Sequence, residues 1–495
     1  MKNTIQCFAL LSGALSLAAF AGEPQMFVST DEAKWTCSTS VSPVDGNAQD
    51  ARSTRLRIDA AKAAQTMEGF GTCISELSWS ALNDLCEKDR ADILDALFKP
   101  GAGLNLTSLR IPIGSNDPSL GPYSCDDEPG DFAMEKFSID RDRKTLIPLA
   151  KEAQRRNPSI WAWGCPWSPP AWMKRNNHYG QNGFGRWHKE HGYLEKWPNP
   201  TGNPGLDNIT NTFYKTGGGW KRHVNSMFIC EEPYLKAYGL YFRKWVDSYK
   251  AEGVNIRAVM PQNEPDSCPP YPSCCWIYPD LGNFTANYLA PALKGSGTEV
   301  WFGSVERPWA DQIEELFKNP AFDSAVTAVG YQWAGKDALP GMRERHPDKL
   351  LIMSEQECRD SNNDWADAFY AFDSMKHYFD NGVGLWTYWN LALLKGGGTL
   401  WGWRQNSLVV VDCEKRTYAW SGDFWLLRHV ASYVGKGAKY IPADDKDALA
   451  FLNEDGSAVV ILRNAEQEEK RVVVDVGGRT FAAALPAKSL ATLVL

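Results

Sequence analysis

One rhythm constrains this chain more than any other property: between residues 67 and 433 short apolar runs alternate with amphipathic stretches. The apolar, strand-like runs fall at 67–72, 104–113, 160–166, 256–262, 300–305, 326–332, 350–355 and 384–390. Between them, stretches such as 232–251, 308–317 and 365–379 carry apolar residues three and four apart, which keeps one helical face toward a core. This is the pattern of parallel βα units, and eight of them close more naturally into a barrel than into an open sheet. The expected fold class is α/β, a (β/α)8 TIM barrel over residues 67–433.

Outside that stretch the period changes. After about residue 435 come short alternating runs at 458–463, 471–476 and 489–495, separated by polar turns, too few strands for an independent β-sandwich. The region 34–64, with 54–58 alternating, supplies strands from the other end of the chain. The expected organisation is a signal peptide at 1–21, N-terminal strands at 22–66, the barrel at 67–433 and a C-terminal β-sandwich at 434–495. Two insertions at 116–139 and 175–230, rich in Gly, Pro, Asn and aromatics, follow strands two and three. They leave the strand ends where barrel enzymes place their sites, and are expected to shape a cleft.

The start of the chain reads as an export signal: Lys2, an apolar run at 7–20, and Ala19-Phe20-Ala21 as a small-x-small cleavage pattern near Ala21. A secreted or periplasmic protein is expected. The run is too short to span a bilayer, and no later run of about 20 apolar residues suggests an integral membrane segment. A net charge of −8 attracts neither nucleic acid nor an anionic membrane. The 21 Trp, 18 Tyr and 21 Phe exceed what a core needs, since large amphipathic rings are rarely fully buried. Core use and sugar-stacking use explain them about equally. Of the cysteines, Cys268, Cys274 and Cys275 crowd one loop where a disulfide is plausible. Cys73, Cys165 and Cys358 lie in or beside strand-like segments and read equally well as buried thiols. No Cys/His spacing resembles a metal site, so neither metal nor other cofactor is expected.

Two glutamates end predicted strands. Glu264 lies in Val259-Met260-Pro261-Gln262-Asn263-Glu264-Pro265, where proline stops the ladder and leaves the carboxylate at the strand's mouth. Glu355 ends Leu350-Leu351-Ile352-Met353-Ser354-Glu355, three βα units later and so across the mouth. A pair of carboxyl groups is what glycosidic bond cleavage needs: one protonates the leaving oxygen, the other attacks the anomeric carbon or activates water.

The flanking residues resemble glycoside hydrolase family 30, which includes glucosylceramidases, β-1,6-glucanases and β-xylosidases. The resemblance rests on Glu68-Gly69-Phe70-Gly71, Leu109-Arg110-Ile111-Pro112-Ile113-Gly114-Ser115, Cys165-Pro166-Trp167-Ser168-Pro169-Pro170-Ala171-Trp172-Met173-Lys174, Asn263-Glu264-Pro265, Ser354-Glu355 and Leu385-Trp386-Thr387-Tyr388-Trp389-Asn390, in that order. It implies a retaining mechanism with Glu264 as acid/base, Glu355 as nucleophile and the carboxyls about 5 to 5.5 Å apart. It further implies that Asn263 contacts the sugar 2-hydroxyl, that Asp117 accepts from distal hydroxyls, and that Trp167 and Trp389 wall the subsite. Arg110 becomes the ionic neighbour of the nucleophile, with a structural salt bridge as the alternative. Asn406 is expected to reach the cleft from the loop after strand eight, whereas Trp163 and Trp172 read as packing residues.

Two departures from the glucosylceramidase pattern stand out. Near strand six the chain has Tyr331-Gln332-Trp333-Ala334 where the family has His-Trp-Tyr, so the tyrosine partner of the nucleophile is either missing or supplied by Tyr331. Glu355-Gln356-Glu357 offers two glutamates that face the same way if the strand continues, with Glu355 in the better register. A carbohydrate-binding protein that lost catalysis would lack one carboxylate, and both are present. A serine hydrolase would need a G-x-S-x-G elbow, which is absent. The expected substrate is an oligo- or polysaccharide, with a β-glucan, β-1,6-linked, ahead of a glycolipid head group; β-xylosidase and β-fucosidase activities are further alternatives.

Overall fold

The computed structural model describes residues 23–45, 53–180, 225–267, 269 and 271–495. The segment 1–21, most of the 175–230 insertion and Cys268 lie outside them. Two compact units emerge: Met67–Ser432, and residues up to Thr66 together with Tyr433–Leu495.

In the first unit eight parallel strands form a closed barrel. They are β1 (Gly69–Cys73), β2 (Ser108–Pro112), β3 (Trp161–Cys165), β4 (Ile256–Val259), β5 (Glu299–Val305), β6 (Val326–Gln332), β7 (Leu350–Glu355) and β8 (Val383–Asn390). Closure comes from β8 pairing β1, with Trp386 beside Phe70. Every residue of β1, β2, β3 and β8 is buried, because helices cover the outer face while side chains fill the interior. Trp163, Ala258, Trp301, Ala328, Ile352 and Leu385 belong to one such interior cluster. At the N-terminal ends of the strands Arg257 lies over the Trp161 and Trp301 rings and pairs with Glu68 at 2.7 Å and Glu299 at 3.0 Å. The charged floor leaves the opposite end for chemistry.

Helix Glu232–Ala251 shows how the outer layer docks. Its inward stripe of Leu235, Tyr238, Tyr241, Phe242, Trp245 and Tyr249 is buried, and each large side chain contributes roughly 1.5–3 kcal/mol by leaving water. Trp245 reaches Gly164 of β3, where an added Cβ would stand 2.6 Å from the ring. Glycine there allows the close approach. After β8 the chain adds a small sheet of Ala392–Leu394, Val409–Asp412 and Thr417–Trp420, which the sequence reading did not anticipate. It returns the 395–408 segment to the barrel mouth.

The second unit is a sandwich of two sheets built from both chain ends. One sheet orders Lys439–Ile441, Ala448–Leu452, Ala458–Asn464, Ser489–Val494, Gln25–Ser29 and Thr36–Ser38. The other orders Val41–Pro43, Arg479–Leu485, Lys470–Val476 and Ser53–Ile58. Leu56 and Ile58 point into the shared core with Val460, Val474 and Leu493, while Arg55 pairs outward with Asp475 at 2.6 Å. This is the period-two pattern of a half-buried strand.

Among the described residues no helix is long and apolar enough to cross a membrane. Cys73 and Cys165 are buried free thiols and Cys358 is a partly buried one. Of the three cysteines expected to offer a bridge, Cys268 lies outside the described residues and Cys274 is a buried free thiol.

Candidate active site

Glu355 is the last residue of β7, so the sheet ladder itself aims its carboxyl at the barrel mouth. Glu264 is reached differently. Past Val259 the chain stays tied to β3: Met260 N–H donates to Gly164 O at 2.8 Å, Asn263 N–H to Pro166 O at 2.8 Å, and the Gln262 amide to Trp167 O at 2.7 Å. It then turns at Glu264, whose φ of 49° lies in the left-handed region that a residue with a side chain seldom occupies. Such backbone persists where surrounding bonds over-determine it.

Arg110, fully buried at the centre of β2, organises the space between. Its Nη1 donates to Glu355 Oε2 at 2.5 Å and to Ser354 O at 3.2 Å, and its Nη2 donates to Asn263 Oδ1 at 2.6 Å. The guanidinium lies 4.5 Å from the Trp167 ring centroid and 5.6 Å from that of Trp389. Those two rings stack on each other at 5.3 Å. Glu264 meets neutral donors instead: Gln332 Nε2 at 2.9 Å on Oε1 and the Tyr271 hydroxyl at 3.4 Å on Oε2. On the far side of Glu355, Trp333 Nε1 approaches Oε1 at 3.4 Å.

These groups line a cavity of about 340 Å³ that also takes in Asp117, Cys358, Arg359, Trp403 and Gln405. Burial pushes the Glu355 carboxyl up to about 8; Arg110 pulls it down, and the charges of Glu264 and Asp117 push it further up. Burial likewise pushes Asp117 up to about 7 against the Gln405 hydrogen bond. One oxygen of Asp117 accepts from Gln405 Nε2 at 2.6 Å, while Oδ1 is buried without a partner among the described residues, and a buried acceptor in a cleft is an opening for a ligand hydroxyl.

A larger groove of about 690 Å³ runs between helices Glu76–Asn83, Glu87–Phe98 and Leu146–Arg156 on the barrel flank. Its charges pair among themselves, Arg143 and Lys151 with Glu252 and Arg155 and Arg156 with Glu152. Among the described residues no cluster of three or more His, Cys, Asp or Glu is arranged to hold a metal ion.

Residues 67–199 match the glycosyl hydrolase family 30 TIM-barrel domain, and residues 437–493 match the family 30 β-sandwich domain. The chain thus matches both domain types of glycosyl hydrolase family 30, barrel and sandwich, in that order. It is a glycoside hydrolase. Over 99% of its length, and 99% of the relative's, it is 25% identical to the endo-1,6-β-D-glucanase BGN16.3 of Trichoderma harzianum. It is 27% identical to putative glucosylceramidase 2 of Caenorhabditis elegans, over 84% of this chain and 78% of that one. The crystal structure of SrfJ from Salmonella typhimurium shares the fold at a TM-score of 0.79 and 22% identity, covering 95% of this chain and 99% of that one.

Within this family 30 cleft the structure brings together Glu264, Glu355, Asn263, Asp117, Trp167 and Trp389, with Arg110 behind them. Two expected residues are not there. Tyr331 faces away, toward Glu314 and Arg345 of the outer layer, with its hydroxyl buried and unpartnered. On a strand, neighbours point to opposite sides, so it is Gln332 that enters the barrel. Asn406 is fully buried behind the wall, where its amide donates to Asp367 at 2.8 Å and Asp423 at 3.2 Å and its Oδ1 accepts from Ser361 N–H at 2.8 Å. Its neighbour Gln405 is the residue that lines the cavity, accepting from Trp389 Nε1 at 3.0 Å and Asn390 Nδ2 at 2.9 Å. Glu357 lies past the end of β7, bonded to Lys336 at 2.6 Å and to the Tyr370 hydroxyl. The premise that it shares a strand face with Glu355 does not hold.

Sequence reasoning missed Gln332, Trp333, Gln405, Tyr271 and Ser304. Gln332 carried a usable signal, a polar residue ending an apolar strand in the same position as Glu355. Tyr271 and Gln405 sit in loops, Trp333 opens the short helix after β6 and Ser304 lies in β5, with no periodicity to mark them as cleft residues.

Proposed function

We propose that this protein is an exported, retaining β-glycoside hydrolase that cleaves β-1,6-glucan, with Glu264 as acid/base and Glu355 as nucleophile. In the first step Glu264 protonates the glycosidic oxygen while Glu355 attacks the anomeric carbon. In the second, the Glu264 carboxylate takes a proton from water, which displaces Glu355 with a second inversion.

The asymmetry of the two carboxyls is the observation that carries the reading. A guanidinium only donates, so the 2.5 Å contact with Arg110 makes Glu355 Oε2 a charge-assisted acceptor. Among the described residues the Glu264 carboxyl accepts from an amide and a phenol. Glu355 is thus the carboxyl held beside a cation, which suits a nucleophile, and Glu264 the one held by neutral groups, which suits proton delivery.

Asn263 has its oxygen occupied by Arg110, Ser304 and Gln332, which leaves its Nδ2 to donate to the sugar 2-hydroxyl. Asp117 Oδ1 accepts from a distal hydroxyl, and Trp167 and Trp389 supply the apolar wall. The near-complete mutual coverage with an endo-1,6-β-D-glucanase supports the glucan over a glycolipid. Lys2, the apolar run at 7–20 and Ala19-Phe20-Ala21 support export.

Incubation with pustulan, a linear β-1,6-glucan, with glucosylceramide and with aryl β-glucosides tests the substrate, and proton NMR of the first product tests the stereochemistry. The expected result is fastest turnover of pustulan with β-configured ends appearing first. Faster turnover of glucosylceramide would overturn the substrate, and α-configured first product would overturn the retaining mechanism.

A further inference from the structure

The end of β5 is bonded to the acid/base turn. Ser304 Oγ accepts from Glu264 N–H at 3.3 Å and donates to Asn263 Oδ1 at 3.0 Å. Glu306, fully buried, accepts from Asp266 N–H through Oε1 at 2.9 Å. The bonds bracket Glu264 on both sides, at the residue whose φ is left-handed. Ser304 N–H donates to Gln262 O at 2.7 Å, so the two segments are stitched together before the turn as well.

We propose that Ser304 and Glu306 are positioning residues for the acid/base, holding the backbone of Asn263-Glu264-Pro265-Asp266 so that the Glu264 proton meets the glycosidic oxygen. The inference rests on Glu264 being the acid/base. Neither residue bonds directly to Glu355, Arg110 or Trp333 among the described hydrogen bonds; the one partner shared with the nucleophile's side is Asn263 Oδ1, which accepts from both Ser304 and Arg110. Glu306 performs this role as a neutral acid. Burial raises its affinity for the proton, as do the charges of Asp266 and Glu264, against Arg307, and its second oxygen is buried without a partner.

The separation of the two contact groups supplies a readout that general damage to the fold does not move: dependence on the leaving group. Wild type, Ser304→Ala, Glu306→Ala and Glu306→Gln are compared on an alkyl β-glucoside, which needs protonation, and for the burst of 2,4-dinitrophenol from its β-glucoside, which does not. Displacing a proton donor by a fraction of its reach costs about 10- to 100-fold. Ser304→Ala and Glu306→Ala are expected to lose that much on the alkyl glucoside and less than about threefold in the burst. Glu306→Gln keeps a neutral acceptor of the same length and is expected to stay within about threefold of wild type on both. Equal losses on the two substrates would overturn the positioning role, and a Glu306→Gln variant as impaired as Glu306→Ala would overturn the neutral form. Glu264→Ala, run alongside, separates the two levels of argument. If it too shows no leaving-group dependence, the acid/base assignment fails; if it does and the β5 variants do not, only this inference fails.

Discussion

Glu355 closes strand β7 and is gripped by a buried guanidinium at 2.5 Å, whereas Glu264 stands on a turn beyond β4 with left-handed φ and, among the described residues, with an amide and a phenol beside its carboxyl. In the first arrangement the sheet ladder sets the direction and Arg110 favours the ionised form against burial. In the second a turn sets the direction and neutral groups surround the carboxyl. Two chemically identical side chains thus acquire different surroundings from their backbones and neighbours and, under the proposed mechanism, different tasks.

The sharpest way to break this contrast is to remove the fixed charge. Glu355→Gln is expected to lower kcat/KM by roughly 10⁴-fold or more on both aryl glucosides and β-1,6-glucan, because no other carboxylate can reach the attacking position. Glu357→Gln, whose carboxyl is engaged by Lys336 and Tyr370, is expected to stay within about threefold. Loss in the second variant alone would reverse the assignment. Next in size is Glu264→Ala, with a loss of about 10²- to 10⁴-fold on alkyl glycosides and little on activated aryl glycosides. Azide is expected to restore its turnover as a β-glycosyl azide; an α-azide would mean that Glu355 forms no covalent intermediate.

How far the contrast was legible in the sequence follows from where each residue sits. The eight barrel strands announce themselves as apolar runs, and Glu355, on a strand, was legible by register. Glu264 was legible because Pro261 and Pro265 punctuate its segment. Tyr331 was misread because a single chain does not say which neighbour on a strand faces in; the polar Gln332 at the mouth was the better guide. Asn406 was misread because the small sheet around Val409–Asp412 sets the register of that loop, and its strands pair only through tertiary contacts. Gln25–Ser29 lies inside the six-stranded sheet, between Ser489–Val494 and Thr36–Ser38, yet it follows so closely on the apolar run at 7–20 that its own pattern was not distinguished. Arg110 could be named from its motif, but its double grip on Glu355 and Asn263 joins three strands and has no trace in local sequence.

That grip offers the third test. Arg110 pulls the Glu355 carboxyl down against burial, so Arg110→Met is expected to raise it further. The nucleophile must be ionised, and a higher pKa delays ionisation to higher pH. The acid limb of kcat/KM should therefore move up by a unit or more, with a loss of about tenfold per unit at pH 6 that shrinks as pH rises. Arg110→Lys keeps the charge but cannot reach Glu355 and Asn263 in the same planar fork, and should fall between. A loss that is uniform across pH would show that Arg110 acts through packing on Trp167 and Trp389 instead of through charge.

The smallest effect concerns the third carboxyl of the cleft, which has neither a cation like that of Glu355 nor a turn like that of Glu264. Burial raises Asp117 to about 7, whereas in an unfolded chain an aspartate titrates near about 3.9. Between those values the native state keeps a proton that the unfolded state has shed, so stability from this group is full at low pH and is lost as pH rises through about 7. Asparagine cannot ionise and can still accept from Gln405. Asp117→Asn is therefore expected to raise Tm relative to wild type by an amount that grows from about pH 4 to about pH 7 and then levels off, reaching about 1–4 °C. The same variant should bind substrate more weakly, since an uncharged acceptor replaces a carboxylate at the distal hydroxyl. Differential scanning calorimetry at pH 4.5 and pH 8 decides it: an equal shift at both would mean that Asp117 is ionised throughout that range.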